Sequence, residues 1–309
     1  MSRNSKDTEN KIRTLALETG FTDCGFAPAR ELKEDAERLR DWLNKEMHAG
    51  MTYMEKHFDK RTDPSCLVPG AKSVIVLLLN YYPGEEVPED KNYILSKYAH
   101  GRDYHRVMKP MLKVLLKRIN EEVIPVKGRV FVDSAPVLER SLAALAGLGW
   151  FGKHSNLISP RSGSFFFIGE LIVDIALDYG KPLPDYCGGC TKCIQACPTQ
   201  AIIEPGVIDS RRCISYWTIE HKGEIDPSMK GKFQNRIFGC DICQEVCPWN
   251  RKSQITPIEE FKAAVSLREM IKKDWQELTE EKFSELFKGS AVLRTKYAGL
   301  MRNIKFVKQ

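Results

Sequence analysis

Cys187-Gly-Gly-Cys190-Thr-Lys-Cys193-Ile-Gln-Ala-Cys197-Pro198 is the stretch around which the rest of the chain can be organised. Three cysteines separated by two residues, a fourth after three more, and a trailing proline are the spacing of bacterial ferredoxins, where the fourth cysteine ligates the other of two clusters. A second run, Cys240-x2-Cys243-x3-Cys247-Pro248, is one cysteine short, and Cys213 supplies the missing thiolate from upstream. Eight of the ten cysteines therefore close two sites of four. The crossing rule assigns Cys187, Cys190, Cys193 and Cys247 to one 4Fe–4S cubane and Cys197, Cys213, Cys240 and Cys243 to the other. Short turns bring three thiolates around one face of a cubane, and the exchanged fourth ligand locks the two cubanes close enough for electron hopping. Gly188, Gly189 and Gly239 suit backbone that approaches sulfide.

Two other uses of the cysteines fit less well. A disulfide framework belongs to small exported domains, whereas this chain has 309 residues and a polar, charged beginning, Met1-Ser-Arg-Asn-Ser-Lys-Asp-Thr-Glu-Asn10. Structural zinc pairs one CxxC with a distant CxxC or with histidines, not with triplets followed by proline. No apolar run approaches the roughly 20 residues that span a bilayer, and Arg211-Arg212 is internal, where it cannot act as an export address. We expect a cytoplasmic protein, working as a monomer. Cys24 and Cys66, outside the motifs, are expected to be core thiols.

With 42% apolar and 28% charged residues the chain has the composition of an ordinary globular protein, long enough for about two domains. Its net charge of +6, from 47 basic and 41 acidic residues, permits a polyanionic substrate without requiring one. Lys11–Glu18 and Leu32–Leu43 have helical periodicity, and Ala71–Leu79 is a β-branched apolar run typical of a buried strand. Val107–Val123 reads as an amphipathic helix with Pro110 in its first turn. Arg129–Val132 reads as a strand, Val137–Leu148 as a helix, and Phe165–Ile175 as a buried strand or pair. The expected fold class is α+β: an α/β domain over residues 1–175, a ferredoxin-like domain over 176–255, and a helical tail over 256–309.

The first 175 residues exceed what a ferredoxin needs. Gly147-Leu-Gly149-Trp-Phe-Gly152 fits a dinucleotide fingerprint, but a helical segment precedes it where a strand is required. Asp133 falls between a strand and a helix. There either it or Ser134 could simply cap the helix, or Asp133 could act as a proton donor if burial raises its pKa.

Several ordered segments resemble the epoxyqueuosine reductases. They are Arg61-Thr-Asp-Pro64, Leu67-Val-Pro-Gly-Ala-Lys-Ser-Val74, Lys97-Tyr-Ala-His-Gly-Arg-Asp-Tyr-His105, Val132-Asp-Ser-Ala-Pro-Val-Leu-Glu-Arg140, Gly149-Trp-Phe-Gly-Lys-His-Ser-Asn156, Gly169-Glu170, and the cysteine array with Cys213-Ile-Ser-Tyr216 and Gly239-Cys-Asp-Ile-Cys243. The resemblance implies a nitroreductase-like domain holding cobalamin against the ferredoxin segment, an external low-potential electron donor, and reduction of epoxyqueuosine to queuosine at the wobble position of a tRNA anticodon. It makes Asp133 the proton donor and places Arg61, Tyr98, Lys153, His154, Ser155, Asn156, Ser215 and Asp241 along the corrin, with His154 not claimed as a cobalt ligand. A modified base must leave its stack to reach such a site, and Arg211, Arg212, Lys222, Lys230, Lys232 and Arg236 are candidates for holding phosphates. Many family members continue past the clusters with a helical-repeat domain, whereas this is a short form. Two rival readings are a cobalamin-dependent reductive dehalogenase, which by resemblance uses a tyrosine as acid, and an electron-transfer protein without a substrate of its own.

Overall fold

The computed structural model describes residues 3–84 and 92–308. In chain order, α1 (Arg3–Glu18), β1 (Asp23–Pro28), α2 (Lys33–Asn44), α3 (Phe58–Thr62) and β2 (Ser73–Asn80) are followed by the short β3 (Ile94–Leu95). Next come α4 (Tyr104–Glu122), β4 (Gly128–Phe131), α5 (Glu139–Leu145), the hairpin β5 (Trp150–Phe151) and β6 (Leu157–Ile158), and β7 (Phe166–Val173). The cysteine segment carries α6 (Lys192–Ala196), β8 (Ile202–Glu204), β9 (Val207–Ile208), β10 (Arg236–Phe238) and α7 (Ile242–Glu245). The tail folds as α8 (Val265–Glu269), α9 (Lys272–Gln276), α10 (Glu280–Leu286) and α11 (Lys296–Lys308).

A four-stranded antiparallel sheet in the order β1-β2-β7-β4 forms the centre. Every residue of β2 and β7 is buried, as expected for strands covered on both faces. Alternation splits their side chains between two cores. Ile75, Leu77, Leu79, Phe167, Leu171 and Val173 join α1 and α4. Val74, Val76, Leu78, Phe166, Ile168 and Ile172 join Leu142 and Ala143 of α5. Gly169 lies on the first of these faces, and a Cβ there would come within 2.9 Å of Met108 and 3.1 Å of Leu112, so the absent side chain lets α4 sit close on the sheet. Its neighbour Glu170 has the parity of the α5 face.

A third core joins Tyr93, Leu95 and Ala99 to Ile237 and Phe238 beside the cysteines and to Trp275, Phe283, Phe287, Val292, Leu300 and Ile304 of the tail. The parallel pairing of β3 with β10 runs through it. Three sequence expectations need correction. The fourth helix begins at Tyr104 because the Asp103 carboxylate caps it, accepting the His105 N–H, so Pro110 falls beyond the first turn. Leu138 is the residue flanking α5, without a side-chain cap, so neither Asp133 nor Ser134 caps that helix. Cys66 is exposed while Cys24 is buried, because Cys66 ends a surface turn at Pro64–Cys66.

Candidate functional site

The eight motif cysteines gather into two groups. Cys187, Cys190, Cys193 and Cys247 line one cavity together with Lys153, His154, Tyr186 and Trp249. In the second group Cys243 feels the charges of Cys240, Cys213 and Cys197, Cys240 that of Cys213, and Cys213 that of Cys197. Burial first, and these neighbours next, push the Cys213 and Cys243 thiols up, and Cys240 to about 12. Partly buried thiols gathered this closely are helped by a positively charged centre to become thiolates. Backbone N–H groups already point at the sulfurs: Ile194 donates to Cys193, Ala201 to Cys197, Ser215 and Tyr216 to Cys213, Ile242 to Cys240, and Trp249 and Asn250 to Cys247. Among the described residues no three His, Cys, Asp or Glu side chains converge on a single-ion site. Two quartets of cysteines suit a pair of cubanes, in which each iron takes one thiolate. These features fit two 4Fe–4S clusters.

Asp133 stands in the loop between β4 and α5, with its backbone in the left-handed region at φ +48°, a strained position for a residue with a Cβ. Its N–H donates to Glu139 Oε1 at 2.5 Å, and Ser134 N–H turns back to Val132 O. The carboxylate accepts from Tyr104 and lies 3.3 Å from His105 Nε2. It keeps 47% of its side-chain surface, and Tyr53, Arg61, Tyr98 and Arg294 lie near enough for charge to couple them to it; these side chains flank the open side of Asp133, the Asp133 cleft. Burial alone would raise its pKa, but the bonds from His105 and Tyr104 and the charges of His105 and Arg294 outweigh that and hold it below the usual carboxylate value. The condition that burial raise its pKa is therefore not met: Asp133 favours the ionised form, and the neighbouring His105 holds its proton more tightly than an ordinary imidazole. Burial opposes that proton, while bonds and charges from Asp103 and Asp133 carry the imidazole up to about 9.

Two more carboxyls lie behind the loop. Burial and the charge of Asp133 push Glu139 up to about 8. Glu170 is fully buried with neither oxygen hydrogen-bonded among the described residues, and burial, then Glu139 and Asp133, hold it well above the usual range.

The other expected corrin residues fall in three places. Arg61 donates to Tyr53 O but leaves Nε unpaired in a buried position, and Tyr98 packs against Tyr104 and Phe238; both border the Asp133 cleft. Lys153 donates to Gly188 O in the first cysteine loop at 2.6 Å. His154 is buried, its Nδ1 accepts from Asn156 N–H, its Nε2 is unpaired, and burial lowers it to about 4. Ser155, at φ +65°, accepts from Arg140. Ser215 is committed to Cys213. Asp241 accepts from Ser96 Oγ at 2.5 Å and Lys97 N at 2.7 Å, pinning the second cluster segment to the strand end that precedes Tyr98. Among the phosphate candidates Arg236 is corrected: it is 3% exposed and bound to Glu245 and Gln234, so it anchors the interior. Gly147-x-Gly149-x-x-Gly152 runs from the end of α5 through β5 into the turn of the β5–β6 hairpin, with no helix directly after it, so it is not a dinucleotide-binding turn. Arg294, in the tail, was missed because nothing local marks it; it reaches the cleft bound to Glu220 and over the Tyr53 ring at 5.9 Å.

Comparison with known proteins accounts for this combination. The family described as 4Fe-4S double cluster binding domain matches residues 186–250, and that described as epoxyqueuosine reductase QueG, DUF1730, matches residues 61–134. The epoxyqueuosine reductase of Cellulophaga algicola is 55% identical over 297 residues, covering 96% of this chain and 97% of that protein. The chain belongs to the epoxyqueuosine reductase family. The Escherichia coli member is 42% identical across 95% of this chain and 79% of its own. A crystal structure of an epoxyqueuosine reductase with a tyrosine tRNA stem loop modified with epoxyqueuosine superposes with a TM-score of 0.90 at 27% identity, covering 98% of this chain and 81% of that one. The Bacillus subtilis epoxyqueuosine reductase, solved with its catalytic aspartate loop swung out of the active site, gives 0.90 at 26% identity, covering 98% and 82%. Among the described residues no helix is long and apolar enough to cross a membrane.

Proposed function

We propose that this protein reduces epoxyqueuosine in tRNA to queuosine, with cobalamin in the cleft in front of Asp133 and electrons arriving from an external donor through two 4Fe–4S clusters. The observation that carries the reading is the geometry at Asp133: a carboxyl on a loop in the left-handed region, 3.3 Å from the His105 imidazole, in a chain that also gathers two quartets of cysteines. The residues present fit the corrin. Arg61 leaves Nε as an unsatisfied buried donor and is coupled to Asp133, and Tyr53 and Tyr98 offer aromatic edges near the same carboxyl. Conversion of an epoxide to an alkene and water consumes two electrons and two protons. When bound, cobalamin supplies the low-valent metal chemistry that breaks the carbon–oxygen bond, fed one electron at a time by the clusters.

The chain's own groups do the rest. Asp133 is placed to hand a proton to the departing oxygen, so that no free alkoxide has to leave. Tyr104, held flat against Phe167 at 4.3 Å, fixes the carboxylate by its hydroxyl. Glu139 holds the Asp133 N–H and with it the loop, in the position from which the Bacillus subtilis relative's loop can swing away. Arg61 and Arg294 provide positive charge for a polyanionic substrate and keep Asp133 ionised between turnovers. The ligand sets are those of the crossing rule, and the two spatial groups of cysteines support them.

The test is anaerobic incubation of cluster-loaded protein with cobalamin, a strong reductant and tRNA bearing epoxyqueuosine, followed by nucleoside mass spectrometry. Loss of one oxygen that depends on cobalamin is expected. No conversion, with clusters and corrinoid both bound, would refute the reading.

A further inference from the structure

The reduction delivers two protons to one oxygen, and the carboxylate aimed at that oxygen is ionised. Asp133 therefore needs a proton source in contact with it. The loop 103–105 provides an aligned one. Asp103 Oδ1 accepts the His105 backbone N–H at 2.9 Å and the ring Nδ1–H at 2.7 Å. This double hold fixes the ring so that Nε2 faces Asp133 Oδ2 at 3.3 Å. Tyr104 stacks on the imidazole at 4.2 Å between centroids and is itself stacked on Phe167, which prevents the ring from turning away. The ionisable groups that act on His105 are the carboxyls of Asp103 from the cap of α4, Asp133 from the β4–α5 loop and Glu139 from the first turn of α5, with the Tyr104 phenol stacked on its ring. The cations of the cleft, Arg294 from the tail and Arg61 from α3, act on Asp133. The arrangement has the logic of a carboxylate-oriented histidine acting on a third group, with a carboxylate in the third place.

We propose that His105, oriented by Asp103, is the proton source for Asp133, its Nε2–H passing to Asp133 Oδ2 as Asp133 protonates the departing oxygen. The inference rests on the function proposed above and deepens it. Overall, the two carbon–oxygen bonds of the epoxide break and a carbon–carbon π bond forms. Two electrons come from the external one-electron donor, and two O–H bonds form on an oxygen that leaves as water. The first proton is resident on His105. The imidazole keeps 22% of its side-chain surface, so cleft water refills it, and the second proton follows the same route. His105 is thus a positioning and supply residue acting through Asp133.

Two variants and two readouts test this. His105→Gln keeps an N–H donor toward Asp133 but carries no transferable proton, and Asp103→Asn keeps an acceptor for the ring while removing its charge. In nitrogen–proton NMR of the cluster-loaded protein, the imidazole signal absent from His105→Gln is expected to stay doubly protonated at pH 7.5, above the ordinary histidine range. In turnover, His105→Gln is expected to lower kcat by at least about 10²-fold with KM for the modified stem loop nearly unchanged. Asp103→Asn is expected to move the alkaline limb of kcat down by about one pH unit, the usual scale for losing one close partner charge. A neutral His105 at pH 7, or wild-type kcat and pH profile in both variants, would overturn the proposal. Failure of the wild-type protein to convert epoxyqueuosine would instead strike the functional reading, and the imidazole titration would still decide where the proton sits.

Discussion

Replacing Glu139 by glutamine isolates what the buried carboxyls behind the catalytic loop do to stability. Glutamine preserves the acceptor that holds the Asp133 N–H but removes the ionisable proton. In the folded protein Glu139 is raised to about 8 from an ordinary 4.5, by burial first and by Asp133 next. At low pH both folded and unfolded chains carry the proton, and the group has no pH-dependent effect. Above about 4.5 the unfolded chain releases its proton while the folded chain retains it, so stability falls as pH rises, until the folded group ionises near 8 and the loss is complete. At about 1.4 kcal/mol per pH unit the full shift would correspond to roughly 5 kcal/mol. Glu139 is only partly buried and opens on a cleft, so screening reduces this to about 1–2 kcal/mol. The N-terminal position on α5 favours the ionised form by about 0.3–1 kcal/mol and acts in the same direction as that reduction. Urea unfolding of wild-type and Glu139→Gln proteins at matched cluster content, at pH 5 and pH 8.5, measures the difference directly. The variant should gain about 1–2 kcal/mol relative to wild type between the two pH values, as a buried acid freed of its ionisation cost would. An equal difference at both pH values would show that Glu139 ionises as an ordinary surface glutamate, and the proton-holding account of the loop would fail.

Three further outcomes follow from the site. Asp133→Asn should retain clusters and corrinoid but lose turnover by at least about 10²-fold, read by nucleoside mass spectrometry; near-normal conversion would remove Asp133 from its role. Cys213→Ser should leave the protein with about half of its iron, because the second motif has no other fourth ligand, whereas unchanged iron content and electron paramagnetic resonance would break the assignment. Arg294→Ala removes a positive charge that helps to keep the Asp133 carboxyl low, so that carboxyl should titrate at higher pH by a few tenths of a unit to about one unit, read by carbon NMR against Asp133→Asn; an unmoved titration would place Arg294 outside the electrostatics of the cleft.

Much of this was readable in the chain. The cysteine spacing specified two sets of four because ligand spacing around a cubane is a local constraint, met by turns of two or three intervening residues. The buried strands at Ser73–Asn80 and Phe166–Val173 were visible because strands covered on both faces become continuous apolar runs. Glu170 interrupts one of those runs, and the sequence showed the interruption without its meaning. Pro110 misled the reading of α4, since the start of that helix is set by the Asp103 cap and not by the apolar period. Arg236 looked like one more surface cation in a basic stretch, and only the packing of β10 against β3 and Glu245 makes it interior.

The sequence by itself determined the cluster chemistry, the buried core strands and the position of Asp133 between a strand and a helix, because each depends on spacing within a few residues. Only the tertiary structure decided what Asp133 is. Its protonation depends on His105 and Tyr104 at the start of α4, on Glu139 at the start of α5, and on Arg294 in the tail, groups far apart in the chain. Electrostatic energy depends on distance in space and on exclusion of water, neither of which local sequence records. The same carboxyl whose pKa burial alone would raise is therefore held low here, beside an imidazole whose pKa is raised.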